Sequence, residues 1–243
     1  MNWRIIELHT ETPEMNMAID EAILSNVSKG KSDPTIRFYK WEPEAVSIGM
    51  AQQSSIVKRK GLKIVRRPTG GNAVYHHAND LTYSVIAPKK NFGGDMWKAY
   101  RMISGCVASA LNFVSFSKAD VAGNNHVVVD GRKLCGSAIN FADKKAFLQH
   151  GSIFCHPTAA QNSKILDVKK SDLNMAFVSE FTDNNLFYSA LRESFKHFAR
   201  NHSFGTLSEK EHALAEKLAR EKYSDPEWYS PIKHGTACGA DWK

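Results

Sequence analysis

The pair Asp130-Gly131 stands between two β-rich runs, "HVVV" and "RKLCGSAINF". That arrangement dictates a hairpin closed by a two-residue turn. Such a hairpin sets its own register: Val129 pairs with Arg132, and Val128 with Lys133. Simple alternation then puts His126, Val128, Lys133 and Cys135 on one face, with Ser137 further along it. Val127, Val129 and Leu134 take the other face. A lysine placed this way, among small residues, is either a solvated strand lysine or a charge that meets an anion. The residues alone leave both readings open.

The rest of the chain surrounds this hairpin with more strands. "WRIIEL", "TIRFY", "AVSIG", "LKIVRR", "NAVYH", "LTYSVIA" and "AFLQHGSIF" read as strands, with "KWEPE" as the turn between the second and third. "TPEMNMAIDEAILSNVSKG" reads as a helix, because Met15, Ile19, Ala22, Ile23 and Val27 recur at helical spacing and Gly30 is a natural stop. "DMWKAYRMISGCVASALNF" is a second helix, with Asp95 as its N-cap. "DNNLFYSALRESFKHFAR" and "SEKEHALAEKLAREKY" are two more, the last opening with Ser208 and Glu211 in capping-box spacing. No internal repeat or low-complexity linker divides the 243 residues. The expectation is one α+β domain over residues 1–243, a mixed, largely antiparallel sheet with peripheral helices.

The formal charge of +7 favours an acidic partner. No Lys/Arg block is long enough for a nucleic-acid tail, and no strand interleaves basic with aromatic residues, so nucleic acid is not expected. No apolar run approaches the roughly 20 residues of a membrane helix. "MNWRIIELHTETPEM" has no signal-peptide core, which points to the cytoplasm. Cys106, Cys135, Cys155 and Cys238 form no C-x-x-C pair and read as free thiols. Cys106 and Cys155 are expected in the core, Cys135 as a small packed thiol, and Cys238 in the tail.

The stretch "RRPTGGNAVYHH", Arg66 to His77, carries the densest chemistry. Pro68 fixes one backbone angle, and Gly70-Gly71 permit a turn whose N–H groups converge on an anion. Arg66 and Arg67 alternate, so at most one reaches that anion. The plainer reading is an ordinary tight hairpin with solvated arginines.

Taken together, the motifs resemble the lipoate–protein ligase and octanoyltransferase family, whose fold is related to that of the biotin–protein ligases. "RRPTGGNAVYHH" is similar to the family's arginine–Thr/Ser–glycine signature. "DGRKLCGSA" followed by "FLQHGSIF" is similar to its second signature, a lysine before Gly-Ser-Ala and then a His-Gly strand. "MNMAIDEAIL", "TIRFYKWEPEAVSIG", "LTYSVI" and "EKLAREKYSDPEW" match further family elements in order, over essentially the whole chain.

The resemblance implies an enzyme that activates lipoate or octanoate with ATP as an acyl adenylate. It then passes the acyl group to a lysine of a lipoyl domain. By similarity Lys133 is the catalytic amine. Arg67, Gly70, Gly71, Asn72, Ala73, Val74, Tyr75, His76, Asn125, Ser137, Ala138 and His150 bind the acyl adenylate or ATP. The implied partners are lipoyl domains of 2-oxoacid dehydrogenases or the glycine-cleavage H protein. Such domains are often acidic, which suits electrostatic steering.

Three positions depart from the family pattern. Asn72 replaces a third glycine, and His77 replaces an aspartate. Asn124-Asn125-His126 stands where the family has Arg-Asn-Asp, a segment that helps to hold Mg²⁺. Histidine is a poor magnesium ligand. Mg²⁺ therefore stays in view without an assigned ligand set, Asn125 remaining as a ligand or phosphate contact, and a transition-metal set of His76, His77 and His126 lacks a completing carboxylate or thiolate.

These departures keep two alternatives in view. One is an octanoyltransferase that works from a carrier-protein thioester without ATP. Two family lineages hold the acyl group on a cysteine, at positions where this chain has "SKADVAG" and the neighbourhood of Ala146. The other is a non-catalytic or partner-dependent subunit that binds lipoyl domains. The accessory C-terminal domain of many ligases is expected to be absent, or supplied by a separate subunit.

Overall fold

The run Thr35–Trp41, strand β2, shows why the middle of the chain forms a sheet covered on both faces. Ile36 and Phe38 enter one apolar cluster, while Tyr39 and Trp41 enter another. That is strand alternation with no face left for water. In the computed structural model, which describes residues 2–123, 125–168 and 173–229, β2 lies inside an eight-stranded sheet.

Across that sheet the order is β11 (His202–Phe204), β1 (Trp3–Glu11), β2, β6 (Leu81–Pro88), β10 (Ala146–Ile153), β9 (Arg132–Asn140), β8 (His126–Val129) and β7 (Ala119–Ala122). β1 runs parallel to β2 and to β11, and every other neighbouring pair is antiparallel. The mixed, largely antiparallel sheet read from the sequence is what forms. Helix α1 (Pro13–Ser28) covers one face, and α2 (Met96–Val114) covers the other. α4 (Asn184–Phe198) packs beside α2, and α5 (Glu209–Leu218) beside α1.

The helix ends follow local chemistry. Thr12 caps α1 by accepting from the Met15 N–H, and Asp95 caps α2 by accepting from Trp97 and Lys98. Ser208 and Glu211 form the expected capping box on α5. Beyond α5 the chain widens into a π-helical turn, Ala219–Tyr223, and buries Tyr223 with its hydroxyl on Glu21. Among the described residues no helix is long and apolar enough to cross a membrane.

A smaller sheet holds β3 (Ala45–Ile48) between β4 (Lys63–Arg66) and β5 (Val74–His76), parallel to the first and antiparallel to the second. "TIRFY" and "AVSIG" therefore do not pair; the turn between them hands the chain from the large sheet to the small one. The small sheet's apolar side packs with Ile165 and Leu166 at the end of α3 (Ala159–Ile165).

The Asp130-Gly131 hairpin closes with positive φ at both residues, 50° and 73°, the signature of a type I′ turn. Val129 faces Arg132 and Val128 faces Lys133, as the turn requires. One step later the register shifts: Val127 faces Cys135, so Leu134 is the extra residue of a β-bulge. This overturns the simple alternation. Cys135 does not share the face of Lys133, because the bulge turns it into the core with Leu134, and Gly136 takes its place. The same shift carries the Ser137 hydroxyl to the far face, where it donates to the Asn125 carbonyl at 3.1 Å.

Candidate active site

The glycine loop and the hairpin lysine meet across a cavity of about 480 Å³, a size ordinary for a small-ligand site. Gly71, Asn72, Ala73, Val74, Tyr75 and His76 line one side, and Lys133, Gly136, Ala138 and His150 the other. Segment 173–175 and residues near α3 close the remaining wall.

The loop owes its shape to Arg67. This side chain is buried, and its guanidinium reaches back into its own turn. Nη2 donates to the carbonyls of Gly70 (2.6 Å) and Asn72 (2.8 Å), and Nη1 to that of Ser47 (3.1 Å). Gly71, between the two clamped carbonyls, takes a φ of 88°, which a side chain would resist. Among the described residues, the amide N–H groups of Gly70, Gly71 and Asn72 meet no acceptor. The carbonyls are consumed by Arg67, and Gly71 and Asn72 border the cavity with their N–H groups unspent. Such a set of donors suits an oxyanion or phosphate. Burial pulls the Arg67 pKa down to about 10, so it stays charged at neutral pH. Arg66 acts elsewhere: it holds the carbonyls of Gly49, Met50 and Gln52 and so pins the neighbouring loop.

Lys133 is fixed at its base. Its N–H donates to the Asn174 carbonyl and its own carbonyl accepts from Ala176, both at 2.9 Å. Its side chain then arches over Gly136. A Cβ at that glycine would sit 2.6 Å from Lys133 Cε and 2.7 Å from Nζ. Gly136→Ala therefore tests the lysine without deleting it. The flexible amine end must move, so the protein should lose about 1 kcal/mol of stability, the low end of the range for overpacking. The acyl transfer that the motif resemblance implies should fall by about tenfold or more, because a misplaced donor loses its target. Wild-type rates in a folded Gly136→Ala protein would show that the amine position is irrelevant.

Two buried histidines brace the cavity. His76 stacks on Trp41, ring centroids 3.9 Å apart, with its ring nitrogens on Ser47 (2.8 Å) and Ser152 (3.3 Å). Burial, with the nearby Arg67 and His150, keeps it neutral. His150 bonds Thr69 through Nε2 and Asp20 through Nδ1. Asn125 borders the cavity and donates to the Ser137 carbonyl at 2.9 Å.

Of the catalytic and ligand-binding residues that the resemblance implied, Gly70 is the one that does not line the cavity; it contributes the carbonyl that Arg67 holds. Ser137 borders it with its hydroxyl turned away. His77 also lies outside, its Nε2 3.2 Å from Glu44. His126 does line the cavity, and burial and the Lys133 charge lower its pKa. Several contributors carried no sequence signal: Met17, Tyr39, Trp41 and Thr82 of the large sheet and α1, and Phe154 and Met175. An alternating polar residue inside a helix face that is otherwise apolar, as at Asn16 and Asp20, was the only hint that α1 backs a site.

The chemistry of thiols and metals is constrained here. Cys106, Cys135 and Cys155 are buried, none lines the cavity, and burial pushes each thiol up to about 12. None can supply a thiolate at neutral pH. Cys238 and Asn124 lie outside the described residues. Among the described residues no carboxylate lines the cavity; Asn125 donates its NH₂ group to the Ser137 carbonyl, and its amide oxygen is a lone neutral donor. These residues do not fit a hard cation such as Mg²⁺, which prefers several oxygen donors, carboxylates among them.

Comparison with known proteins places the chain in a family. The sequence model described as the lipoyl protein ligase A/B catalytic domain matches residues 12–197. Octanoyltransferase LipM of Brevibacillus brevis is 32% identical, over 93% of this chain and 98% of that protein. A crystal structure of lipoate-protein ligase A bound with ATP superposes with a TM-score of 0.82 at 26% identity, covering 94% of this chain and 98% of that one. A bi-partite lipoate protein ligase from Thermoplasma acidophilum, described together with its E2 lipoyl domain, gives 0.82 at 28% identity, covering 94% and 96%. With its arginine-clamped glycine loop facing a hairpin lysine, this chain belongs to the lipoyl protein ligase A/B catalytic domain family.

Proposed function

We propose that the chain transfers an octanoyl or lipoyl group to a lysine of a lipoyl domain, taking it from a carrier-protein thioester without ATP. The observation that carries this reading is the pairing of the Lys133 amine with the unspent N–H groups of Gly71 and Asn72 across one cavity. On this reading both donor sets serve the oxygen of the acyl carbonyl as it gains charge. The full-length similarity to an octanoyltransferase supports the thioester donor. This reverses the order of preference that the motifs alone suggested, where ATP came first.

On this reading the acyl tail lies along Val74, Tyr75, Gly151 and Phe154, where leaving water is worth roughly 25 cal/mol per Å². The acceptor lysine, as a free amine, attacks the thioester carbonyl. The C–N bond forms, negative charge collects on the carbonyl oxygen, and the C–S bond then breaks to release the carrier thiol with the amine's proton. Lys133 stays charged and acts as an electrostatic donor, not as the base. None of the three described cysteines is placed to hold the acyl group, and this reading makes the transfer direct.

A second reading has its own support. Activation with ATP suits the same donors, which would face the α-phosphate. The superposition on an ATP-bound ligase favours it. Under either reading residues 1–243 act as one catalytic unit, and the likeness to a bi-partite ligase leaves room for a separate accessory subunit.

Intact mass of an apo-lipoyl domain separates the donors. The transferase reading predicts the octanoyl mass shift with octanoyl-carrier protein and no ATP, and no shift with free octanoate and ATP. The opposite pattern assigns the ligase. Tight domain binding with no shift from either donor leaves a binding subunit.

A further inference from the structure

Thr69 is almost fully buried, yet its one hydroxyl serves two masters. Its oxygen accepts from Arg67 Nε at 3.1 Å and lies 2.7 Å from His150 Nε2. Arginine can only donate. That leaves the oxygen a second lone pair, so Arg67 alone does not orient the Thr69–His150 bond. The Asp20 carboxylate on Nδ1 does, because it can only accept, and in the neutral ring Nε2 is then unprotonated and takes the Thr69 hydroxyl proton. The ring proton is then on Nδ1 and points to Asp20 Oδ2 at 3.1 Å. Asp20, an anion fixed by Arg37 (2.9 Å) and Ser84 (2.8 Å), accepts it.

We propose that Asp20, His150 and Thr69 form a one-directional hydrogen-bond relay that positions the glycine loop, making Asp20 on helix α1 and Thr69 positioning residues for acyl transfer. The relay ends on the Arg67 guanidinium, whose other N–H groups hold the Gly70 and Asn72 carbonyls. Neither Asp20 nor Thr69 lines the cavity, so both act through the loop. Their influence on the reaction rests on the acyl-transfer reading above.

The protonation pattern agrees with the surroundings. Burial and the charges of Arg67 and Arg37 outweigh the pull of Asp20 and keep His150 neutral. Burial works against the Asp20 charge, but the His150 hydrogen bond and Arg37 overcome it and hold the carboxyl below its usual range. Asp20→Asn should invert the relay. Its amide oxygen stays on Arg37, its NH₂ group faces His150, and the ring proton must move to Nε2. Thr69 can then no longer donate to the ring. Thr69→Val removes the hydroxyl at nearly constant volume, while Thr69→Ser keeps it.

The experiment combines ring ¹⁵N NMR of His150 on the full chain with steady-state kinetics, using whichever donor the wild type accepts. The wild-type ring should be the neutral Nδ1–H tautomer, and Asp20→Asn should switch it to Nε2–H. Thr69→Val should lower kcat by roughly 10–100-fold with little change in KM for the lipoyl domain, the sign of a lost transition-state interaction. Thr69→Ser should stay within about threefold of wild type. A wild-type ring protonated on Nε2, a Thr69→Val protein with normal kcat, or a Thr69→Ser protein as weak as Thr69→Val overturns the relay. If Asp20→Asn does not fold, the wild-type ring and the two Thr69 variants still decide the question. If the wild type transfers no acyl group from any donor, the acyl-transfer reading fails, while the ring tautomer still tests the relay itself.

Discussion

Lys133→Ala should leave a folded protein whose acyl transfer is slower by about 10²–10³-fold, the usual cost of one oxyanion donor. The backbone of Lys133 bonds Asn174 and Ala176, and these bonds survive truncation of the side chain. The side chain instead spans Gly136 at the wall of the cavity. On the proposed reading, removing it deletes a charge from the place where the acyl oxygen becomes negative and leaves the walls for the tail intact. The expected signature is a fall in kcat with acceptor KM nearly constant. Single-turnover transfer to an apo-lipoyl domain, with a thermal melt as control, measures it. A folded Lys133→Ala protein at near wild-type rate would falsify the assignment.

Gly49→Ala should be nearly as damaging, for a steric reason. A Cβ at Gly49 would lie 2.0 Å from the Gly71 carbonyl oxygen and 3.1 Å from its carbon. Both partners are backbone, and both are tethered. Gly49 donates to Gln52 and its carbonyl is held by Arg66, while Arg67 grips the carbonyls on either side of Gly71. The loop cannot step aside without releasing those bonds. Overpacking of this kind costs about 1–3 kcal/mol, and a shift of about 1 Å in the donors costs about 10²-fold in rate. Both losses are expected together: a lower Tm and slow transfer. Urea unfolding beside the transfer assay checks this. A Gly49→Ala protein with unchanged midpoint and rate would mean that the close approach of the two loops does not exist.

Most of the architecture was legible because it is written locally. The helix caps at Asp95 and Ser208, the Asp130-Gly131 turn and the apolar alternation of "TIRFY" each state their own structure. What escaped was non-local or too short to show a period. β7 and β11 span four and three residues, and their pairing depends on neighbours far along the chain. α3 is a single short helix of seven residues. The separation of β2 and β3 into different sheets has no marker in the turn that joins them.

The bulge at Leu134 had the largest consequence for the site. "KLCG" contains nothing that distinguishes a regular strand from a bulged one, since both residues at the irregularity are apolar and both end buried. Alternation therefore placed Cys135 beside Lys133, and packing placed it in the core. The candidate site was legible chiefly through its motifs. The resemblance pointed to the glycine loop and to Lys133, and the structure puts both on one cavity. The buried polar frame behind them, Asp20, Arg37 and Thr69, could not be read. A charged residue within an apolar helix face looks the same in sequence whether it is solvated or held by partners from three other strands.

The central claim is that the Lys133 amine and the Gly71–Asn72 amides converge on one acyl oxygen. A crystal structure with a non-hydrolysable octanoyl thioester analogue tests it most directly. The account predicts the analogue's carbonyl oxygen within about 3 Å of Lys133 Nζ and of a loop N–H, with the alkyl chain running past Val74 and Phe154. A carbonyl turned away from both donors, or a chain seated outside this cavity, would contradict it.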